Sequence, residues 1–439
     1  MTTESAAMLS TLLEHPLRSA IDREVHARPF EELRAPVQAS HLALLSGRDA
    51  EAVDRDRRHV ARLCASFQVP PPAADAVHAS VDCGPFRLKW ERHLEFSTYT
   101  VFCPLPPVTP FDKTAICTVP EEWLQGLAGE MLVASHVVIL PGSAPPLDMA
   151  QLHALFGTTN IAGSRVTGGA AEVWSDFRIH EDGFGRILIK DNGMRERQTG
   201  RLVQRLLDIE TYRTLALLAH PLARQVSHDI TDVERCLSEL TGDMVHLENV
   251  EQEHTLLTRL SELAGEIERS VNSTLYRFGA TRAYYALVER RLREIREERI
   301  EGSQTIREFM DRRLAPAISA IESVADRQRQ LAARVSRAAD LLRTRVDVAL
   351  ERQNGDLLKS VNQRLQLQIR LQETVEGLSV VVITYYTLGV LSYAAKALAK
   401  AGLPINPDLV VGLAIPVVLG GVWWGLRRLR RRLADQEAH

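Results

Sequence analysis

Five cysteines are scattered along the 439 residues, and no two of them form a Cys-x-x-Cys pair. That spacing excludes a zinc ribbon and a thioredoxin-type redox motif. Cys64, Cys83, Cys103, Cys117 and Cys236 are therefore expected as free thiols in a reducing compartment. An excess of positive charge is also missing. With 53 Lys and Arg against 56 Asp and Glu, the formal charge is -3, and a dedicated nucleic-acid binder normally needs a basic face. Met1-Thr-Thr-Glu-Ser lacks the basic n-region and apolar core of a signal peptide. The body is thus not expected to be exported by that route.

What the chain does contain is concentrated near its end. Two uncharged apolar runs, Gly377 to Ala395 (GLSVVVITYYTLGVLSYAA) and Leu409 to Leu426 (LVVGLAIPVVLGGVWWGL), stand out. Each is close to the roughly 20 residues a helix needs to cross about 30 Å of hydrocarbon. Gly402, Pro404 and Pro407 punctuate the short turn between them. A two-helix transmembrane hairpin over 377–395 and 409–426 is the expectation, with the lipid bilayer as a partner.

Orientation follows from Arg427, Arg428, Arg430, Arg431 and Arg432, which abut the second run. Basic residues flanking a span stay on the cytoplasmic side. The connecting loop offers only Lys396 and Lys400 against them. An even number of spans then returns the N-terminal body to the same face, with both termini cytoplasmic and 427–439 as a basic tail. Trp423 and Trp424 sit where an aromatic belt is expected. The first run is rich in hydroxyls. Ser379, Tyr386 and Tyr393 recur every seven residues and share one helical face. Such residues pack helices together in lipid; lining a water-filled pore is the alternative.

Between about 193 and 376 the pattern is helical. Segments Gln198 to Leu218, Leu222 to Leu240 and, with interruptions, Val245 to Arg299 space apolar residues by three and four. The charge mixture of Arg282 to Glu301 suits a solvated face. Pro316 is placed in a first turn, and no proline follows until Pro404. Ile318, Ile321, Ala325, Ala332, Val335, Ala339, Leu342 and Val346 form a seam, with Gln328 the polar exception. Its spacing is that of a coiled coil. Near Asn354-Gly355 the register shifts to Leu350, Leu357, Val361 and Leu365, as at a stutter. A helix running on from Ala317 through Ala395 would measure about 120 Å at 1.5 Å per residue.

Residues 1–192 alternate strand-like and helix-like segments. Strands are expected at Val37 to Leu45, Arg87 to Glu91, Glu95 to Phe102 and Met131 to Leu140. Helices are expected at Ala50 to Phe67, Glu121 to Ala128 and Leu147 to Phe156. Further strands over Asn160 to Lys190 break at Gly168-Gly169 and at Asp182-Gly183, the latter a hairpin signal. The summary is an α+β (or α/β) N-terminal domain with a mixed sheet, a long helical stalk and the membrane hairpin. Catalytic signatures are sparse. Glu24, His26 and Arg28, with His41, could offer an acid–base pair or metal ligands. No His-x-x-x-His pair or His-Glu-x-x-His helix occurs there, so salt-bridged docking residues are the simpler reading. Gly157 to Gly169 lacks the Gly-Lys-Ser/Thr ending of a phosphate loop and precedes a strand. Neither a metal nor a cofactor is expected.

HPLR, EVHARPFEEL, FGATRAYYALVERRLREIREERIEG, DRRLAPA, LLRTRVDVALERQN and TVEGLSVVVITYY occur together over nearly the whole chain. In that combination the sequence resembles the bacterial membrane-anchored proteins grouped as the domain of unknown function 3422. The resemblance implies a bacterial inner-membrane location and no catalytic residue. A looser likeness, in layout alone, is to the CorA-type two-span channels, pentamers whose first spans line a pore. Their Gly-Met-Asn signature is replaced here by Leu391-Ser392-Tyr393-Ala394-Ala395. The expectation is a homo-oligomeric cytoplasmic scaffold or interaction module at the membrane. The alternatives are a CorA-like channel and an enzyme in the N-terminal domain. Ligand or transported species is left open.

Overall fold

The structure, a computed structural model, describes residues 15–18, 21–22, 29–106, 108–247, 249–400 and 406–437. The chain divides into two compact units: Met1–Val245 with Thr258–Ala338, and His246–Leu257 with Ala339–His439.

The first unit is built on a nine-stranded mixed sheet. Its elements run β1 (Val37–Leu45), α1 (Ala50–Ser66), β2 (His78–Asp82), β3 (Arg87–Arg92), β4 (Phe96–Pro104), α2 (Glu121–Gln125), β5 (Glu130–Leu140), α3 (Met149–Phe156), β6 (Ala162–Val166), β7 (Ala171–Ser175), β8 (Gly185–Asp191), α4 (Glu196–Leu217), α5 (Ala219–Asp243), α6 (Val250–Glu294), β9 (Glu298–Arg299) and the start of α7 (Ile306–Lys400). A 3-10 turn, Ala115–Thr118, precedes α2. The strand order is β2-β3-β4-β1-β5-β8-β7-β6-β9. Every named pair is antiparallel except β5 with β8. Two antiparallel ladders are thus joined at one parallel seam.

Both faces of this sheet are covered, and the alternation along β1 divides them. Leu42 and Leu44 pack with Val60, Leu63 and Cys64 of α1 and Trp123 of α2. Further along that face, Val138 and Leu188 meet Leu152 and Phe156 of α3. Ala39, Val137, Ile139 and Ile189 form the opposite core with Leu202, Leu206 and Ile209 of α4, Phe278 and Leu292 of α6, and Ile306, Phe309 and Leu314 of α7. Local chemistry fixes the helix starts. Asp49 caps α1 by accepting from Ala52 N, and Asp148 with Gln151 forms a capping box on α3.

The expected strands and helices of the N-terminal body are present within a few residues, with three corrections. β2 is an addition to the expected strands, its alternation resting on only two small apolar residues, Ala79 and Val81; β3 pairs with it from His78–Glu91 through Asp82–Arg87. Asp182-Gly183 does not form a two-residue hairpin. It closes a turn, with Gly183 N donating to His180 O, inside the longer loop from Ser175 to Gly185. Pro316 is not in a first turn either. It lies inside α7, whose start is set ten residues earlier by Thr305 and Glu308. Glu308 N donates to Thr305 Oγ1 at 3.1 Å, and Thr305 N donates to Glu308 Oε2 at 3.0 Å.

The expected seam on α7 is occupied within the chain itself. In the first unit Ile318, Ile321, Gln328, Leu331 and Val335 are buried, as are Val226, Ile230 and Leu237 of α5 and Leu260, Leu263 and Ile267 of α6. Gln328, the polar exception, accepts from Thr274 Oγ1 at 3.1 Å and donates to Ser270 Oγ at 2.9 Å. A buried amide satisfied at both ends fixes the register of the packed helices.

The second unit contains the remainder of α7, a segment of α6 and α8 (Pro407–Glu437). There Leu342 and Val346 are buried with Leu256, and Arg345 pairs with Glu253 at 2.8 Å. α7 and α8 are two helices long and apolar enough to cross a membrane, and almost nothing of either apolar window is buried.

Candidate functional site

Of the four N-terminal residues singled out in the sequence, Glu24, His26 and Arg28 lie outside the described residues. His41 sits on the α4 face of β1 and is enclosed. Its Nδ1 is 2.8 Å from Thr100 Oγ1 and its Nε2 is 3.1 Å from Thr211 Oγ1. Burial, reinforced by the charge of Lys89, drives its pKa down to about 3. A neutral imidazole with both nitrogens bonded is a core histidine, holding α4 to the sheet.

The motif that precedes it can be followed from Pro29. Glu31 crosses α4 at Gly200, where a Cβ would lie 1.6 Å from Glu31 O. Leu33 N donates to Glu196 O at 3.2 Å, and Glu31 and Glu32 pair with Arg87 and Arg197. Docking is the role these residues show. A cleft of about 320 Å³ opens beside them, lined among others by Arg34, Phe86, Arg87 and Phe102. The Arg87 guanidinium is already shared between Glu31 and Asp82.

Beside His41, a chain of polar groups crosses from the sheet to the helices. Lys89 Nζ pairs with Glu91 at 3.0 Å and donates to Gln204 Oε1 at 2.7 Å. Gln204 donates in turn to Asp208 Oδ1 at 3.0 Å, and Asp208 Oδ2 accepts from Arg291 Nε at 2.7 Å. Burial raises the Asp208 pKa against the pull of Arg291. A second hub is Glu95 at the β3–β4 turn. It accepts two bonds from Arg277, at 3.1 and 3.0 Å, one from Tyr284 Oη at 2.9 Å and one from Arg48 at 3.3 Å. Burial alone would raise its pKa, but the Tyr284 and Arg277 bonds hold it below the usual carboxylate value. Both networks fasten the long helices to the sheet. Their partners lie up to 189 residues apart, so no local sequence signal announces them.

One constellation has the composition of a nucleophilic relay. Ser40 Oγ lies 2.8 Å from His136 Nδ1, and His136 Nε2 lies 3.8 Å from Asp182 Oδ2. The geometry does not suit catalysis. Ile116 N donates to Ser40 Oγ at 2.9 Å, so the hydroxyl is already engaged by the backbone as well as by the imidazole. Ser40 is 0% and His136 2% exposed, and Phe184 stacks on the imidazole at 3.9 Å. Burial lowers the His136 pKa to about 4 despite Asp182. Enclosed this way, Ser40 and His136 pin the 3-10 turn, and through Phe184 the β7–β8 loop, to the sheet. Among the described residues no group of three or more His, Cys, Asp or Glu side chains could hold a metal.

In the second unit, most of the less exposed positions of α7 between 380 and 395 fall on one stripe, Val380, Thr384, Leu388, Leu391 and Ala395, with Ser392 at its edge and Gly389 on the other side. On α8 they are Val411, Ala414, Val418 and Val422. Ser379, Tyr386 and Tyr393 lie roughly 140–180° around α7 from Thr384, given 3.6 residues per turn. Tyr386 and Tyr393 are exposed. Arg427, Arg428, Arg430, Arg431 and Arg432 lie on α8. Of these five side chains the structure describes that of Arg428, stacked over Trp424 at 5.1 Å.

No curated protein and no solved structure matches the chain, and nothing found supports the likeness to CorA-type channels. A family model described as "Protein of unknown function (DUF3422)" matches residues 13–433, which is nearly the whole length. The chain therefore belongs to the DUF3422 family.

Proposed function

We propose that this protein is a membrane-anchored scaffold. Its sheet domain is held at the cytoplasmic face of the bacterial inner membrane, and its copies associate with one another. The observation that carries the reading is the composition of α7. A single helix contributes Ile306, Phe309, Met310 and Leu314 to the sheet domain's core and also contains the apolar run 377–395. Whatever holds that run in a bilayer is covalently and helically continuous with the core of the body. The enclosed state of His41, Ser40 and His136 supports a binding or organising role over a chemical one.

Two measurements test it. Full-length protein should remain in the membrane pellet after alkaline carbonate washing, while a chain ending at Glu376 should be released. Cys117, the exposed thiol of the body, should resist a membrane-impermeant maleimide in intact cells and react after the inner membrane is opened. Labelling of Cys117 in intact cells would refute the cytoplasmic orientation.

A second reading, an ion channel, is favoured by the exposed Tyr386 and Tyr393. It requires ion flux through reconstituted protein that Tyr386→Leu reduces; flux untouched by that change would count against it.

A further inference from the structure

We propose that one continuous stripe of α7, from Asn354 to Tyr393, is the surface through which copies of this chain meet, side by side and parallel. This rests on the self-association in the reading above and names its site.

The stripe has a strict seven-residue repeat. Positions 354, 358, 361, 365, 368, 372, 375, 379, 382, 386, 389 and 393 alternate steps of four and three, the spacing of a coiled-coil seam. Its apolar members are Leu358, Val361, Leu365, Val375 and Val382, and its polar members include Gln368, Gln372, Ser379, Tyr386 and Tyr393. The repeat is bounded. The preceding positions are Asp347 and Glu351 and the following ones Lys396 and Lys400. Within these bounds it spans about 60 Å at 1.5 Å per residue.

Among the described residues little covers it: Ser379 and Gly389 are half-buried and the other positions are exposed. Leu358 is 70%, Val375 61% and Tyr393 80% exposed. The earlier seam of the same helix, through Ile321, Val335 and Leu342, is buried. The free seam thus begins where the occupied one ends. Between 380 and 395 the covered stripe through Thr384 and Ala395 lies on the other side of the helix, so the helix's own packing leaves the repeat open.

A second copy is the occupant that the repeat fits. Copies anchored by 377–395 in one bilayer stand at one height and in one direction. Each seam position then faces its own equivalent. Gln368 meets Gln368 and Ser379 meets Ser379, so every polar side chain finds a donor and an acceptor at its own level. A slip of one repeat would set Gln368 against Val361 or Val375 instead, and a polar seam residue specifies register in that way. The stripe is also wider than a two-helix seam. Ile369, Leu371 and Leu378 flank it and are exposed, and apolar flanks of this kind require more than one facing helix. The assembly therefore has three or more copies.

The test uses the full-length protein in native membranes, with single cysteines at Gln368 (Gln368→Cys), in the seam, and at Arg370 (Arg370→Cys), on the far side of the same turn. Oxidation by copper phenanthroline joins two thiols with loss of two electrons to oxygen. Gln368→Cys should give at least ~5-fold more disulfide-linked dimer than Arg370→Cys or the unaltered chain, given that seam positions face one another. Native mass spectrometry in mild detergent should count three or more subunits, and Leu358→Asp combined with Leu365→Asp should reduce that count while leaving the protein in the membrane. An oligomer without the Gln368→Cys preference, or one indifferent to the two aspartates, would overturn this interface and leave self-association standing. A monomer would overturn both.

Discussion

Replacing Gly200 by alanine sets two effects of opposite sign against each other. Gly200 lies inside α4, and in an unobstructed helix Gly→Ala stabilises by about 1 kcal/mol. Here the new Cβ would stand 1.6 Å from the Glu31 carbonyl oxygen. Backbone cannot swing aside as a side chain can, so the Glu31–Leu33 segment must lift. That forfeits the Leu33 N to Glu196 O bond, about 1 kcal/mol. It also uncovers Leu33, which is 5% exposed, at about 2 kcal/mol. The Arg197–Glu32 pair is exposed and contributes little. The net expectation is a loss of about 2 kcal/mol, a drop in Tm of roughly 3 °C for a unit of this size. Gly265, on α6, has nothing within 4 Å of its would-be Cβ, so Gly265→Ala should gain the ~1 kcal/mol of propensity alone. The assay is thermal unfolding of full-length protein in detergent, followed by intrinsic fluorescence. If Gly200→Ala matches or exceeds the wild type in Tm, the docking of residues 31–33 on α4 is wrong.

Three further outcomes are expected. His136 is neutral in the fold, with its pKa lowered to about 4, while the unfolded chain takes up that proton from about pH 6.5 downward. Its stabilisation is therefore complete above pH 6.5 and lost as pH falls toward 4, by roughly 3 kcal/mol. His41 acts in the same sense, and the raised carboxyls of Asp208 and Glu297 oppose it. Denaturant titrations of wild type and His136→Gln across pH 4–7.5 should show the shallower dependence in the variant. Glu95→Gln leaves the Arg277 guanidinium without its carboxylate and should cost about 3 kcal/mol, as for other broken buried pairs; the Tm of the purified variant reports it. Gln328→Ala removes a side chain bonded to both Ser270 and Thr274. It should increase amide hydrogen exchange on α6 around those residues by at least ~5-fold, consistent with a loss of about 1 kcal/mol.

Much of the body was legible in the sequence, because its strands and helices carry their own periodicity. β1 matches its expected bounds, Val37–Leu45, since apolar residues and punctuation agree there. The start of α7 was also written locally, in Thr305 and Glu308, a capping box. Pro316 obscured it, because an exposed proline inside a long helix carries the same signal as one at a helix start. The polar sites were illegible for a different reason. His41 stood out through its proximity in sequence to His26 and Arg28, yet its partner Thr211 lies 170 residues away. Ser40, His136 and Asp182 come from two strands and a loop, and meet only because β1 pairs with β5 and β5 with β8. Hydrogen-bond partners of buried polar groups are set by tertiary pairing, which single-sequence periodicity does not encode.

The single parallel seam of the sheet has a consequence for how the chain is made. The ladder β2-β3-β4-β1-β5 is complete once Leu140 has been synthesised, and it needs nothing downstream to pair. The second ladder must then add to its open β5 edge through β8, a contact formed across an intervening helix and two strands. Such non-local closure is slow, and an uncovered β5 edge is sticky while it waits. The apolar runs, from Gly377 onward, emerge last. At 5–20 residues per second, roughly 10–40 s separate Asp191 from Gly377 on the ribosome. The order of elements thus lets the sheet close its exposed edge in water before either long apolar run has left the ribosome.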